Sequence, residues 1–360
     1  MALVAMAKQL RRHDILVPAQ RHYGKALKKL ANGLQRTEVA KHDGTLIAMF
    51  LLGLYEVIIY DGPQGQSKLN RIHSQGRLAV LRLRGSEQLK TKTGRNLFTL
   101  LYHQQLIGSF LHGGSVMEEF PKWMNDLYPT TPMSNLETLM HNASSLVSGI
   151  RRSLQTKETE MLLQLFLKGI EMEEILERMS HEIPAMWPYP EDVIKRLAGT
   201  DRPADLPQSL SEKQLGDLPE NLSQYRGVSR ALVMNIYRAV RIHLLEAVTS
   251  AIPPLRKTDT VNDIDFAMIE ERSLSSMKQA SGSICDDVRI AIGDYDRDGS
   301  PMTNPICGRA FRAWSQLWPL QSALSVKLLS DRERERLEEM LEYVKEVVGI
   351  NMATEVTPHT

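Results

Sequence analysis

The chain has 360 residues, 42% hydrophobic and 24% charged, a balance that excludes disorder as its main state. A formal net charge of +1 gives no global pull towards nucleic acid or membrane. Two cysteines, Cys285 and Cys307, exclude a disulfide framework, and neither has a CxxC partner, so a reducing compartment is expected.

The apolar opening Met1-Ala2-Leu3-Val4 soon meets Lys8, Arg11 and Arg12, too early for a signal-peptide core. Pro18 then opens a segment in which Tyr23, Leu27, Leu30, Ala31 and Leu34 share one helical face. Arg21, Lys25, Lys28 and Lys29 lie towards the other side. Residues 45–60 are apolar all round, which predicts a helix at the centre of the fold. That run is too short for a membrane span and carries Glu56, so no membrane association is expected. Ile72, Gly76, Val80 and Leu83 repeat at helical spacing, and Gly85 is placed to stop that helix. Further helices are expected over 96–111, 161–179 and 228–248. Near the end, Ser330 and Glu333 form a capping box ahead of the stripe Leu337, Leu341, Val344 and Val348. Strand alternation is hard to find, so the fold class is all-α, a large helical array with no predicted sheet.

Composition shifts at Pro184, Trp187, Pro188, Tyr189 and Pro190, and again over 198–226, which reads as a polar loop or linker. It divides two domains or is a surface insertion within one helical unit spanning 1–360; the second reading is preferred. No fixed-period repeat supports a solenoid.

Motifs for chemistry are sparse, and no cofactor is expected. Asp294, Asp296, Asp298 and Gly299 match the first half of a calcium loop, but Pro305 stands where a bidentate Glu is needed. A solvated acidic turn is the expectation. Gly227-Val228-Ser229-Arg230-Ala231 approaches a nucleophile elbow without the final Gly, so Ser229 reads as a helix-start residue. Residues 62–68 lack P-loop spacing. No histidine pair has metal-ligand spacing, and His181 is expected to cap a helix end. Cys285, beside Asp286 and Asp287, is expected to be an inert core thiol. Arg71, His73, Arg77, Arg82, Arg84, Lys90, Lys92 and Arg95 form a basic stretch opposed only by Glu87. It lacks interleaved aromatics for base stacking, and a solvated helix face with internal ion pairs is its expected use.

Several pieces, taken in order, resemble the middle homology region of fungal-specific zinc binuclear cluster transcription factors. They are Leu51-Leu52-Gly53-Leu54-Tyr55-Glu56-Val57, His73-Ser74-Gln75-Gly76 running on to Leu81-Arg82-Leu83-Arg84-Gly85, and Gly94-Arg95-Asn96-Leu97-Phe98. Asn235-Ile236-Tyr237-Arg238-Ala239-Val240-Arg241-Ile242, Ile284-Cys285, Trp318-Pro319-Leu320 and Gly349-Ile350 follow. The resemblance implies a helical regulatory domain. Asn70 and Met234 stand where the family usually carries Trp, and the family's six-cysteine DNA reader has no counterpart here. In this reading Gly76 admits a neighbouring helix, Trp318-Pro319 packs a helix end, and Asn235, Tyr237, Arg238 and Arg241 form a ligand-binding or structural polar network.

Two functions are therefore expected. The first is a regulator of secondary-metabolism or nutrient genes. It would be nuclear (alternatively cytoplasmic), acting through a transcription factor, a corepressor or a small-molecule effector, without specific DNA binding of its own; a homodimer is compatible with it. The second is a helical domain repurposed as a small-molecule-binding enzyme such as a cyclase or isomerase, with His73, Tyr237 and Arg238 as catalytic candidates.

Overall fold

The computed structural model describes residues 13–59, 75–113, 116–127, 132–186, 218–258, 264–295, 301 and 308–348. These residues are all-α. The helices are α1 (Leu16–Leu34), α2 (Thr37–Ala40), α3 (Asp43–Ile59), α4 (75–84), α5 (Lys92–His112) and α6 (Phe120–Leu127). They continue with α7 (Pro132–Thr156), α8 (Thr159–Met186), α9 (Leu218–Leu255), α10 (Phe266–Ile292), α11 (Arg309–Leu324) and α12 (Asp331–Val348). No strand forms among the described residues, where an isolated bridge joins Tyr295 and Pro301. No helix among them is long and apolar enough to cross a membrane.

Local chemistry explains where several helices begin and end. The Thr91 hydroxyl accepts from the Gly94 amide at 3.0 Å and opens α5, and Asp265 accepts from the Met268 amide at 3.0 Å and opens α10. The Ser330–Glu333 capping box forms as expected: the Ser330 amide donates to Glu333 Oε2 at 2.8 Å, and the Glu333 amide reaches back to Ser330 Oγ at 3.4 Å. Gly85, at φ 65°, ends α4, as its position predicted.

The centre of the array is α9, not the apolar segment 45–60. It is 38 residues long, and at 1.5 Å per residue it runs about 57 Å. It packs against α7, α8, α10 and α11. One side (Val233, Ile236, Tyr237, Val240, Leu244) enters a core shared with α4 to α8, while Ile242 and Leu245 enter a second core with α10, α11 and α12. By contrast α3 lies at the edge. Its Leu46, Leu52 and Tyr55 are buried, but Ile47 and Leu51 remain 43% and 42% exposed. Uniform apolarity identified a helix there but not its depth, because an apolar face can be left for a partner as readily as buried.

Other expectations are corrected. Of the expected linker 198–226, residues 198–217 lie outside the described residues, and from Leu218 the chain is the start of α9. Ser229 is accordingly inside α9 rather than at its start. Helix α8 continues past His181 to Met186, so the helix end expected before His181 does not fall there. Pro319 falls inside α11, not at a helix end. A Cβ at Gly76 would meet the Met49 methyl at 3.8 Å, an ordinary contact, so no close helix approach depends on that glycine. Gly94 is the glycine that sterics demand. A Cβ there would sit 1.9 Å from the Gln88 carbonyl oxygen, in the 3-10 turn Ser86–Lys90 that precedes α5. Gly94→Ala is therefore expected to cost about 1–3 kcal/mol or more, read as a lowered urea midpoint, because backbone rather than a flexible side chain must move.

Candidate functional site

The polar residues marked on α9 bond in two sets, and each residue is used by the chain itself. The Asn235 amide donates to Gln316 Oε1 on α11 at 2.7 Å, and Arg238 Nη1 donates to Asn235 Oδ1 at 2.8 Å. The same Arg238 nitrogen reaches Asp287 Oδ2 at 2.5 Å and the Ser283 carbonyl at 3.2 Å on α10. The Tyr237 hydroxyl donates to the Leu176 carbonyl of α8. Arg241 Nε contacts both oxygens of Glu173, at 3.0 and 3.3 Å, while its Nη2 makes a further short bond to Oε1. Burial raises the Glu173 carboxyl above its ordinary range, and Arg241 offsets only part of that rise. The arrangement ties three neighbouring helices to the central one and leaves Tyr237 and Arg238 no role as free catalytic groups. His73 lies outside the described residues.

A cleft of about 50 Å³ opens beside Glu173, between α8, α9 and α10. Ile170, Val248 and Ile269 form part of its wall, with Glu174 and Arg272 also lining it. That volume suits a few waters, not a metabolite, which needs some 300 Å³ or more.

Two buried clusters were not anticipated from the sequence. In the first, Ser322 Oγ lies 2.9 Å from His243 Nε2, and the Trp318 indole N–H points to the same nitrogen at 3.3 Å. An indole can only donate, so Nε2 is the accepting nitrogen and the ring proton sits on Nδ1. Nδ1 faces Glu246 Oε2 at 3.5 Å, too long for a good hydrogen bond. Burial pushes the Glu246 carboxyl up, but His243, Ser325 and Arg151 together hold it below its ordinary range. The order serine, histidine, carboxylate matches a nucleophile, base and orienter. Yet Ser322 and His243 are buried, and the Trp318 carbonyl within α11, 2.9 Å from Ser322 Oγ, competes with Nε2 for its one proton, so no substrate reaches the hydroxyl in this conformation. The only sequence signal was the three-residue spacing of His243 and Glu246 on a helix.

The second cluster joins α5 to α7. Tyr102 OH lies 2.7 Å from His141 Nδ1, and His103 Nδ1 lies 2.7 Å from Glu137 Oε1. Phe98 and Phe120 stack on Tyr102 with ring centroids 5.4 and 4.4 Å away. Glu137 is buried, and its Oε2 has no partner among the described residues. Burial lowers the His141 pKa, which keeps the ring neutral and able to accept the tyrosine proton. Because the unfolded chain then binds a proton that the folded chain refuses, stability is expected to fall as pH drops below about 6.5. The fall levels off below the folded-state value. Urea midpoints between pH 8 and pH 5 check this: His141→Gln, which cannot take up that proton, should show a shallower decline.

Asp294 is no open cation ligand. Its Oδ1 accepts from Arg309 Nε at 2.8 Å, and its Oδ2 accepts from the Tyr343 hydroxyl. Arg289 lies over the Tyr343 ring, 4.7 Å from its centroid. Two guanidinium groups thus oppose the metal ion that the half-motif suggested, and Asp296 and Asp298 lie outside the described residues. Among the described residues no group of three or more His, Cys, Asp or Glu is placed to hold a metal.

Four described residues of the basic stretch find partners within the chain. Arg84 bonds Asp43 at 2.6 Å, Lys90 pairs with Glu87 at 2.8 Å, Arg82 approaches Glu119 at 3.7 Å and Arg95 donates to the Leu89 carbonyl at 2.8 Å. Arg77 is pushed down to about 10 by burial, with Glu56 opposing the shift. Cys285 is a core thiol whose pKa rises mainly through burial, with Asp286 a lesser contributor; Cys307 lies outside the described residues.

Comparison with protein-family models, with curated proteins and with solved structures finds no match to this chain.

Proposed function

We propose that the chain is a regulatory protein of the transcription-factor type that works through protein partners and has no DNA reader of its own. The observation that carries this reading is an exposed apolar face where α3 meets α11. Ile47 and Leu51 lie one turn apart on α3, and beside them Phe50 reaches the rings of Phe311 and Trp314 at 6.3 and 6.0 Å. Phe311 itself is 46% exposed. Clustered aliphatic and aromatic surface of this kind suits a protein partner better than solvent. The internal use of the α9 polar network supports the same side of the choice, since it gives α9 a scaffold role. The regulatory class, the nuclear location and control of secondary-metabolism or nutrient genes come from the resemblance set out above.

A reporter assay tests the reading. Fused to a heterologous DNA-binding domain, the chain should change transcription of a matched reporter several-fold, and Ile47→Asp with Leu51→Asp should abolish the change. The unfused chain should not retain a specific duplex at physiological salt. An inert fusion would sink the proposal.

The second reading, a helical small-molecule enzyme such as a cyclase, is favoured by the buried carboxyl of Glu137 with an unpartnered oxygen beside aromatic walls. Its working groups would be Tyr102, His103, Glu137 and His141. Turnover, or a saturable thermal shift with one metabolite, would select it.

A further inference from the structure

Two helices of this chain carry surface charges of opposite sign at the same spacing. On α1, Arg21, Lys25, Lys28 and Lys29 stand at i, i+4, i+7 and i+8, and the helix contains no acidic residue. On α12, Asp331, Glu335, Glu338 and Glu339 stand at i, i+4, i+7 and i+8. All eight side chains are exposed. Each stripe spans nine residues, eight helical rises or about 12 Å along its helix. In both helices the stripe lies opposite the apolar side: Ala19, Tyr23 and Leu30 on α1, Leu337, Leu341 and Val344 on α12.

Among the described residues, none of the eight forms an ion pair within 4 Å. On α12 this is not for want of cations. Arg336 turns to Asp286 at 2.8 Å, with Glu339 a weaker electrostatic neighbour, and Arg334 turns to the Leu324 and Val326 carbonyls. The contrast with residues 82–95 is informative. There Arg82, Arg84, Lys90 and Arg95 are spent on carboxylates or a carbonyl, whereas on α1 the cations are kept outward. The two helices rest on different neighbours, α1 on α2 and α3, α12 on α10 and α11.

We propose that the chain associates with a second copy of itself, α1 of one copy lying along α12 of the other. Equal length, equal spacing and opposite sign are the charge complementarity such a contact requires. A twofold axis makes both α1–α12 contacts at once, so the species is a closed dimer. Its contacts are exposed ion pairs, individually weak and screened by salt, so the dimer is salt-sensitive and dissociates readily. The proposal does not rest on the regulatory reading, because it concerns charged residues of α1 and α12 and none of the apolar residues of the α3–α11 face.

Molar mass of the full chain by sedimentation equilibrium tests it, at ~50 mM and ~500 mM salt, where screening differs strongly. The wild type should be dimeric at low salt and shift to monomer at high salt. Lys25→Glu with Lys28→Glu should give monomer at both, as should Glu338→Lys with Glu339→Lys. These are exposed positions, where folding is little disturbed. Mixing the two reversed chains should restore association, because each then offers the other a complementary pair of stripes. A monomeric wild type at low salt overturns the proposal, as does a dimer that survives either reversal. So does failure of the mixture to associate. Should the wild type be monomeric while its α1 cations bind anionic vesicles or duplex DNA, the stripe belongs to that surface instead, and the proposal falls.

Discussion

Arg241→Ala is expected to destabilise the fold by about 3–5 kcal/mol, one of the two largest single losses in the molecule. The cause is not the attraction lost but the carboxylate left behind. Glu173 is mostly buried on α8, and its side chain and that of Arg241 are only 10% and 13% exposed. Removing the guanidinium strands a negative charge where water reaches poorly. The size of the loss should depend on pH, with a sign that follows from the same argument. Burial already raises the Glu173 carboxyl, and without Arg241 it rises further. The folded variant then binds a proton more readily than the unfolded chain, so the penalty is full at neutral pH and shrinks as pH falls towards the raised value. Replacing both partners, Glu173→Met with Arg241→Leu, should recover most of the loss, because no buried charge remains. Urea midpoints of the three variants at pH 8 and pH 5 check each part. A single-variant loss below ~1 kcal/mol, the scale of an exposed pair, would mean that water screens the site.

Periodicity made the helices legible because helices declare themselves locally. Ser330 with Glu333, Gly85 after Leu83 and the stripe through Leu337, Leu341 and Val344 are all read within a few residues and all appear in the structure. Depth was not legible. The apolar run 45–60 looked central and lies at the edge, while α9, with arginines and histidine along it, is buried on most sides. Its charges are tolerated inside because their partners come from elsewhere: Glu173 from 68 residues away, Asp287 from 49 and Ser322 from 79. No local rule shows such pairing. The same limit applied to the calcium half-motif, where Asp294 is claimed by Arg309 and Tyr343. Asn235, Tyr237, Arg238 and Arg241 lie on one helix, which is local information, but they bond in two sets, Asn235 and Arg238 to α10 and α11, Tyr237 and Arg241 to α8.

Trp318→Ala should cost about 3–5 kcal/mol, the range for deleting a large buried aromatic. Trp318 sits on α11 yet packs into the core built by α4 to α9. Its ring stacks against Phe110 of α5 at 5.6 Å and against His243 of α9 at 5.9 Å, nearly parallel to the latter. One side chain therefore fastens α11 to both the central helix and the far core. Its removal leaves a cavity and also removes the indole donor from His243 Nε2. Trp318→Phe separates the two contributions. It keeps most of the stacking and loses the N–H, so a smaller loss, about 1–2 kcal/mol, is expected. A double-mutant cycle of Trp318→Phe with His243→Phe should give a coupling of 0.5 kcal/mol or more in urea unfolding, a range of ~0.5–3 being usual for contacting residues. Strict additivity would show that the indole N–H and the imidazole do not sense one another, and that Trp318 holds the two cores together by volume alone.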